Sequence, residues 1–210
     1  MASKSKESKK KETIHRILDA AAKIFAESGF EGARMDEIAK QAKINKAMVY
    51  YHIGDKKALY AEVLHDIIGN AAEHFTGNLD KNQSPEQKLK YYINAVTQTM
   101  DKNPFLAPIM MREQASGGKN LPEMIARDFA LIIGTLTNIF EEGIKQGVFI
   151  KTTSFIIHSM VIGGIMFYQS TYPVRSGYTA FPETVKKLGD NVSGDFSSEI
   201  EKLILKAVIK

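Results

Sequence analysis

Between Thr13 and Tyr60 the chain has to fit three short helices and their turns into fewer than fifty residues, and few folds accept punctuation that dense. Ile14, Ile17, Leu18, Ala21, Ala22 and Phe25 recur at i, i+3, i+4, i+7, i+8 and i+11, which is one face of a helix. Gly29 sits where a C-terminal cap belongs. A second helix fits residues 36–42, with Ile38, Ala39 and Ala42 inward. Lys43 and Ile44 interrupt it. Asn45 is suited to capping a third helix over 46–52. Ile53 and Gly54 break the pattern again. Asp55 can then cap a longer helix from Lys56 through Leu59, Val63, Ile67 and Ile68 towards Phe75.

Downstream, helical patterns fit 85–102, 104–116, 121–146, 152–171 and 195–209, punctuated by Pro104, Gly117-Gly118, Gly147 and Pro173. No segment alternates with period two, so the expected class is all-α, with about nine helices. A hydrophobic content of 44% over 210 residues is enough for a packed core. The expected organisation is a flexible basic tail over 1–12, a helix-turn-helix domain over 13–60 and a larger helical ligand-binding and dimerisation domain over 61–210.

Charge is unevenly spread. Residues 1–60 hold 13 Lys and Arg against 8 Asp and Glu, while the rest holds 15 against 16. A local basic excess suits a nucleic-acid module. Five lysines lie within residues 1–12, which read either as a solubilising end or as a segment brushing phosphates. The third helix has only about two turns, too few to stand alone, so its neighbours must brace it. Ile44, Met48 and Val49 are its candidate anchors. Asn45, Lys46, Tyr50, Tyr51 and His52 offer polar tips, the pattern of a helix displayed to the major groove. Taken singly, Tyr50 and Tyr51 also suit a core, and His52 and Lys56 an ordinary surface.

Residues 13–63 resemble the DNA-binding domain of TetR-family repressors. The matching residues are Ile17-Leu18-Asp19-Ala20-Ala21, Phe25, Gly29-Phe30, Met35, Ile38-Ala39, Ala42, Ile44, Tyr50-Tyr51-His52, Lys56 and Leu59. The resemblance implies a DNA-contacting set of Arg34, Met35, Lys43, Asn45, Lys46, Ala47, Met48, Tyr50, Tyr51, His52 and Lys56. In it Tyr50 and His52 donate to phosphates, and Lys56 adds charge at a helix start. Lys46 would reach guanine acceptors, and Ala47 or Met48 a thymine methyl. Three residues depart from the family pattern. Arg34 stands where a capping Thr or Ser is usual. Lys43 replaces a turn glycine, where a left-handed backbone costs about 1–2 kcal/mol. Ile53 replaces Phe.

The remaining two-thirds resemble the family only in length and helical layout. The stripe Phe196, Ile200, Leu203, Ile204, Ala207 and Val208, with the nearly all-apolar helix carrying Phe155, Gly163 and Gly164, suggests a twofold four-helix interface. Its members would be Phe155, Gly163, Gly164, Phe196, Ile200, Leu203, Ile204 and Ala207. A pocket for a small, largely apolar effector could draw on Phe75, Met100, Phe105, Met110, Met111, Phe129, Phe167 and Tyr168, with Tyr91 and Ile132 as further candidates. Each of these suits an ordinary core equally well. Arg112 and Glu113 could orient a polar group, form an internal pair or lie on the surface.

The expected partners are double-stranded operator DNA, a second copy of the chain and that effector, with no membrane and no cofactor. The chain has no cysteine, so disulfides and thiolate metal sites are excluded. His65, His74 and His158 are too dispersed for a metal site. An enzyme is not expected: no phosphate-cradling Gly-rich loop is present, and Ser3-x-x-Lys6 lies in the tail. An architectural DNA binder is a further reading, opposed by the large apolar C-terminal part. The longest apolar run, residues 155–168, is too short to span a bilayer. A soluble cytoplasmic protein is expected, which makes the Asn-x-Ser matches at Asn82 and Asn191 chance.

Overall fold

Helical periodicity in the sequence becomes twelve α-helices, and no strand is present among the described residues. The computed structural model describes residues 2–189, 192 and 194–210, for 2–6 and 195 the backbone alone. Asn191 lies outside the described residues.

Three helices form the first layer: α1 (Ala2–Gly32), α2 (Met35–Gln41) and α3 (Lys46–His52). The apolar stripe expected for α1 is buried, with Ile17, Ala21 and Phe25 fully enclosed. Each large apolar side chain so buried contributes about 1.5–3 kcal/mol. Gly29 breaks α1 with φ +69°, a left-handed turn that glycine takes without a Cβ penalty. From Ala2 onward, the tail expected to be flexible over 1–12 forms the first turns of α1. Lysine and glutamate are good helix formers. Glu7 and Lys11 pair one turn apart, and the Thr13 hydroxyl donates to the Lys9 carbonyl.

A rod then leads away from this layer: α4 (Lys56–Leu64), a π-helical turn (His65–Gly69) and α5 (Asn70–Gly77). The expected domain boundary at 60/61 falls inside α4, which runs through it. In the π turn the His65 ring lies over Gly69, where a Cβ would collide with it. The ring pairs with Asp128 at 2.9 Å.

The larger part comprises α6 (Pro85–Lys102), α7 (Leu106–Ala115), α8 (Glu123–Lys145), α9 (Ser154–Ser170), α10 (Tyr172–Gly177), α11 (Glu183–Lys186) and α12 (Asp195–Val208). The twelve segments are the nine expected, plus α10 and α11, with the 56–77 helix split at the π turn. Ser84 and Gln87 close a capping box at the start of α6. Helix α8 is central and packs on the rod, α6 and α9, while α7 packs on α1 and α9. Arg175 ties residues 168–189 together through four backbone carbonyls and lies 4.5 Å from the Tyr168 ring centre.

Candidate nucleic-acid interface and effector cavity

Local hydrogen bonds build α3. The Asn45 side chain accepts from the Ala47 amide at 2.9 Å, and Asp55 caps α4 by accepting from the Ala58 amide at 2.9 Å. Arg34 occupies the N-cap of α2 with no side-chain cap bond. Lys43 adopts φ +55°, the left-handed geometry its position demands. Arg16 staples that turn to α1, donating to the carbonyls of Ala42 and Lys43 at 2.6 and 3.1 Å.

Within α3 only Val49 is buried. Lys43, Asn45, Lys46, Ala47, Met48, Tyr50 and Tyr51 are exposed, Tyr51 at 78%, and so is Arg34. Two anchoring expectations change. Met48 is exposed and is not an anchor, whereas Val49 is buried and Ile44 packs half-buried on the core. Met35, expected at DNA, is buried at the start of α2, where the core needs its side chain.

Lys46 is engaged in the free chain. Its ammonium meets the Asp36 carboxylate at 2.8 Å, and this hydrogen bond raises its pKa. His52 is half-buried, packs edge-on against Tyr51 and leaves Nδ1 without a protein partner. Lys56, expected to meet a phosphate, turns back instead. Its ammonium donates to the carbonyls of Glu31 and Ala33, each at 3.3 Å, and lies 4.7 Å from the Phe30 ring centre. Carbonyls freed at the end of α1 and an aromatic face outcompete water for that charge.

Behind α7 lies a cavity of about 660 Å³ with a mostly apolar wall. Of the residues named as pocket candidates, Phe75, Met100, Met110, Phe129 and Ile132 line it. Phe105, Met111, Phe167, Tyr168 and Tyr91 do not. Met111 and Phe167 point outward, Tyr168 stacks on Phe196 at 4.0 Å, and Tyr91 stacks outside Phe75. Phe155 and Gly163, placed at the dimer face, also line the cavity.

Of the cavity's polar groups, the sequence offers Glu113 as one that could orient a ligand and gives no such sign for Tyr92 and His158. The Tyr92 hydroxyl meets His158 Nδ1 at 2.6 Å. Burial pushes the Tyr92 pKa up and the His158 pKa down, so both stay neutral near pH 7. Glu113 is buried and accepts from the Tyr60 hydroxyl at 2.8 Å and from the Asn120 amide at 3.2 Å. Burial, then this hydrogen bond, raises the Tyr60 pKa. The spacing Leu89, Tyr92, Ile93, Val96, Met100 on α6 could have found Tyr92, since it marks one apolar face.

Helix α7 joins cavity and reading surface. Arg112, one residue from Glu113, donates to the carbonyls of Ala26 and Glu27 in α1 at 3.1 and 2.9 Å. Tyr60, on α4, packs edge-on against Phe25 and Phe30.

The expected dimer stripe is divided by the fold. Ile204 is buried within its own chain. A Cβ on Gly164 would touch Ile200 Cδ1 at 3.0 Å and Phe196 at 3.9 Å, so these three serve the contact between α9 and α12. Phe155, Gly163, Leu203 and Ala207 remain exposed, joined by Ile156, Met160 and Phe167. Among the described residues no group of three or more His, Cys, Asp or Glu is placed to hold a metal, and no helix is long and apolar enough to cross a membrane.

Residues 17–63 match the family of bacterial regulatory proteins called the tetR family. The chain is 30% identical over 178 residues to the transcriptional repressor NicS of Pseudomonas putida, covering 80% of this chain and 81% of that protein. It superposes on HlyIIR, a hemolysin II transcriptional regulator, with a TM-score of 0.66 at 28% identity, covering 92% and 97% of the two chains. FadR from Bacillus subtilis, solved with stearoyl-CoA, has the same fold, with a TM-score of 0.68 at 20% identity and coverage of 92% and 98%.

Proposed function

The chain belongs to the TetR family, which makes it a DNA-binding transcriptional regulator, and from that premise we propose a homodimeric repressor released from its operator by an effector in the α7 cavity. The observation that carries this reading is the continuity between cavity and reading surface. Met110 and Glu113 of α7 line the cavity, while Arg112 of the same helix grips the end of α1 and Glu113 grips Tyr60 of α4. An effector that prefers a shifted α7 moves both grips, and through them α3. Its differential affinity for the two arrangements sets how far operator binding falls.

At the DNA, Tyr50 and the exposed N-terminal turn of α3 supply the contacts. Lys46 joins them by exchanging Asp36 for a guanine or phosphate acceptor. A solvent-exposed pair of this kind contributes little, so the exchange is easy. Lys56 acts from behind by holding α4 against α1. Two α3 helices related by a twofold axis read half-sites roughly 34–36 Å apart. The exposed patch of Phe155, Ile156, Met160, Phe167 and Leu203 is the surface that a second copy covers. Repression is the reading favoured by the likeness to NicS, a repressor.

Selection of bound DNA from a random pool, at a stated salt concentration, tests this. A near-palindrome is expected, with affinity that falls as salt rises. Selected DNA that competes no better than random DNA sinks the proposal, as does a monomer by sedimentation at micromolar concentration.

A further inference from the structure

The cavity wall is electrostatically one-sided. Among the described residues that line it, Glu113 alone carries a formal charge. Its side chain is almost wholly enclosed, at 4% exposure. The two groups that donate to it, the Tyr60 hydroxyl and the Asn120 amide, are both neutral. Among the described residues, no lysine, arginine or histidine pairs with it. The neighbouring Arg112 is committed to the carbonyls of α1. A carboxylate enclosed without a cation is costly, and a cation delivered beside it gains more than it would at the surface.

The rest of the wall agrees in sign. Phe75, Tyr92, Phe129 and Phe155 present aromatic surface, whose faces attract cations and repel anions. The second polar element, Tyr92 with His158, uses Nδ1 internally and leaves Nε2 as a neutral group. An anionic head would find no cation in this wall and would lie in the field of Glu113. We propose that the cavity takes a hydrophobic amine in its protonated form, with Glu113 as the counter-ion. This inference rests on the effector reading above and names the chemistry of its ligand. An ammonium bound to Glu113 competes for the carboxylate oxygen that holds Tyr60. Recognition and the link to α4 therefore share one side chain.

The test uses the full chain and three probes with one tail: decylamine, 1-decanol and decanoate, each below its micellar concentration and near neutral pH. Calorimetry is expected to give decylamine at least about ten-fold tighter binding than decanol, with decanoate weakest. In Glu113→Gln, checked for folding by circular dichroism, the amine should lose that preference while decanol binds as before. Tyr60→Phe removes one donor from the carboxylate, so there the amine preference should widen. If Glu113→Gln does not fold, Tyr60→Phe decides alone, and an unchanged preference overturns the proposal. Three further results overturn it: decanoate binding as tightly as the amine, an amine preference that survives Glu113→Gln, or no binding by any probe. Operator titration separates the two readings. An amine that binds through Glu113 but leaves operator affinity unchanged upholds the ligand chemistry and removes the effector role. Release by decanoate alone does the reverse.

Discussion

Helices α3 and α7 hold their polar side chains in opposite ways. On α3, Tyr50 and Tyr51 stand in water, Lys46 meets only the exposed carboxylate of Asp36, and Val49 with Ile44 just before the helix fastens it from behind. On α7, Arg112 and Glu113 each grip a group on another helix. Removing an exposed polar tip lets water take its place, whereas removing one of two engaged partners strands the other. Folding and binding are therefore separable on α3 and joined on α7.

Arg112→Met should show that joining most strongly. It leaves the Ala26 and Glu27 carbonyls without their charged donor. The expected loss is about 1.5 kcal/mol, the low end for a charged group because water reaches the guanidinium. For a chain of this size that lowers Tm by about 3–6 °C. Operator release by effector should weaken in the same variant. A thermal melt and an operator titration that both match the wild type would break the contrast.

Tyr50→Phe probes the other side. Thermal stability should stay within about 0.5 kcal/mol of the wild type. Operator affinity should fall about five-fold, by a similar factor on every sequence tested, as expected for a lost phosphate donor. A Tm loss comparable to that of Arg112→Met would place Tyr50 among the structural residues.

Lys43→Gly sharpens the contrast at the turn before α3. Relief of the left-handed backbone gains about 1–2 kcal/mol, and the entropy of glycine takes back about 0.5–1. Net stabilisation between about zero and about 1.5 kcal/mol is expected in chemical denaturation. If the Lys43 charge serves DNA, operator binding weakens while the fold strengthens, and the salt dependence drops by about one phosphate contact. A variant more stable and equally avid would mean that this lysine is tolerated rather than used.

The same contrast governs what could be read from the chain before its structure. Asn45 and Asp55 were legible as caps because a cap bond closes over two or three residues, and Lys43 as strained because the turn is local. Lys56 was not, since its partners, Phe30, Glu31 and Ala33, lie more than twenty residues away. The existence of α9 was legible, but its faces were not. A helix apolar nearly all round has no periodicity to say that Gly163 meets the cavity, Gly164 meets α12 and Phe167 meets solvent. Glu113 was hardest, because a charged residue enclosed by Tyr60 and a loop amide carries no local sign of burial.

The smallest effect is expected between the two regions, at the π turn. The Asp128 hydrogen bond raises the pKa of His65 above the ordinary 6.5, helped by the charges of Glu62 and Glu73. The charged pair therefore contributes its full stability below about pH 6.5 and loses it as pH rises through the higher folded value. His158 works against this trend. Burial lowers its pKa, so its contribution is complete above 6.5 and is lost as pH falls towards the lower folded value. A bare stability profile would mix the two, and His65→Gln isolates the first. The gap between wild type and variant should be about 0.5 kcal/mol at about pH 5.5, because His65 is partly exposed and water screens the pair. It should shrink as pH rises above 6.5 and through the raised folded value. A gap that does not change with pH would mean that the ring braces the π turn by packing over Gly69. The rod between cavity and reading surface would then be indifferent to the charge on His65.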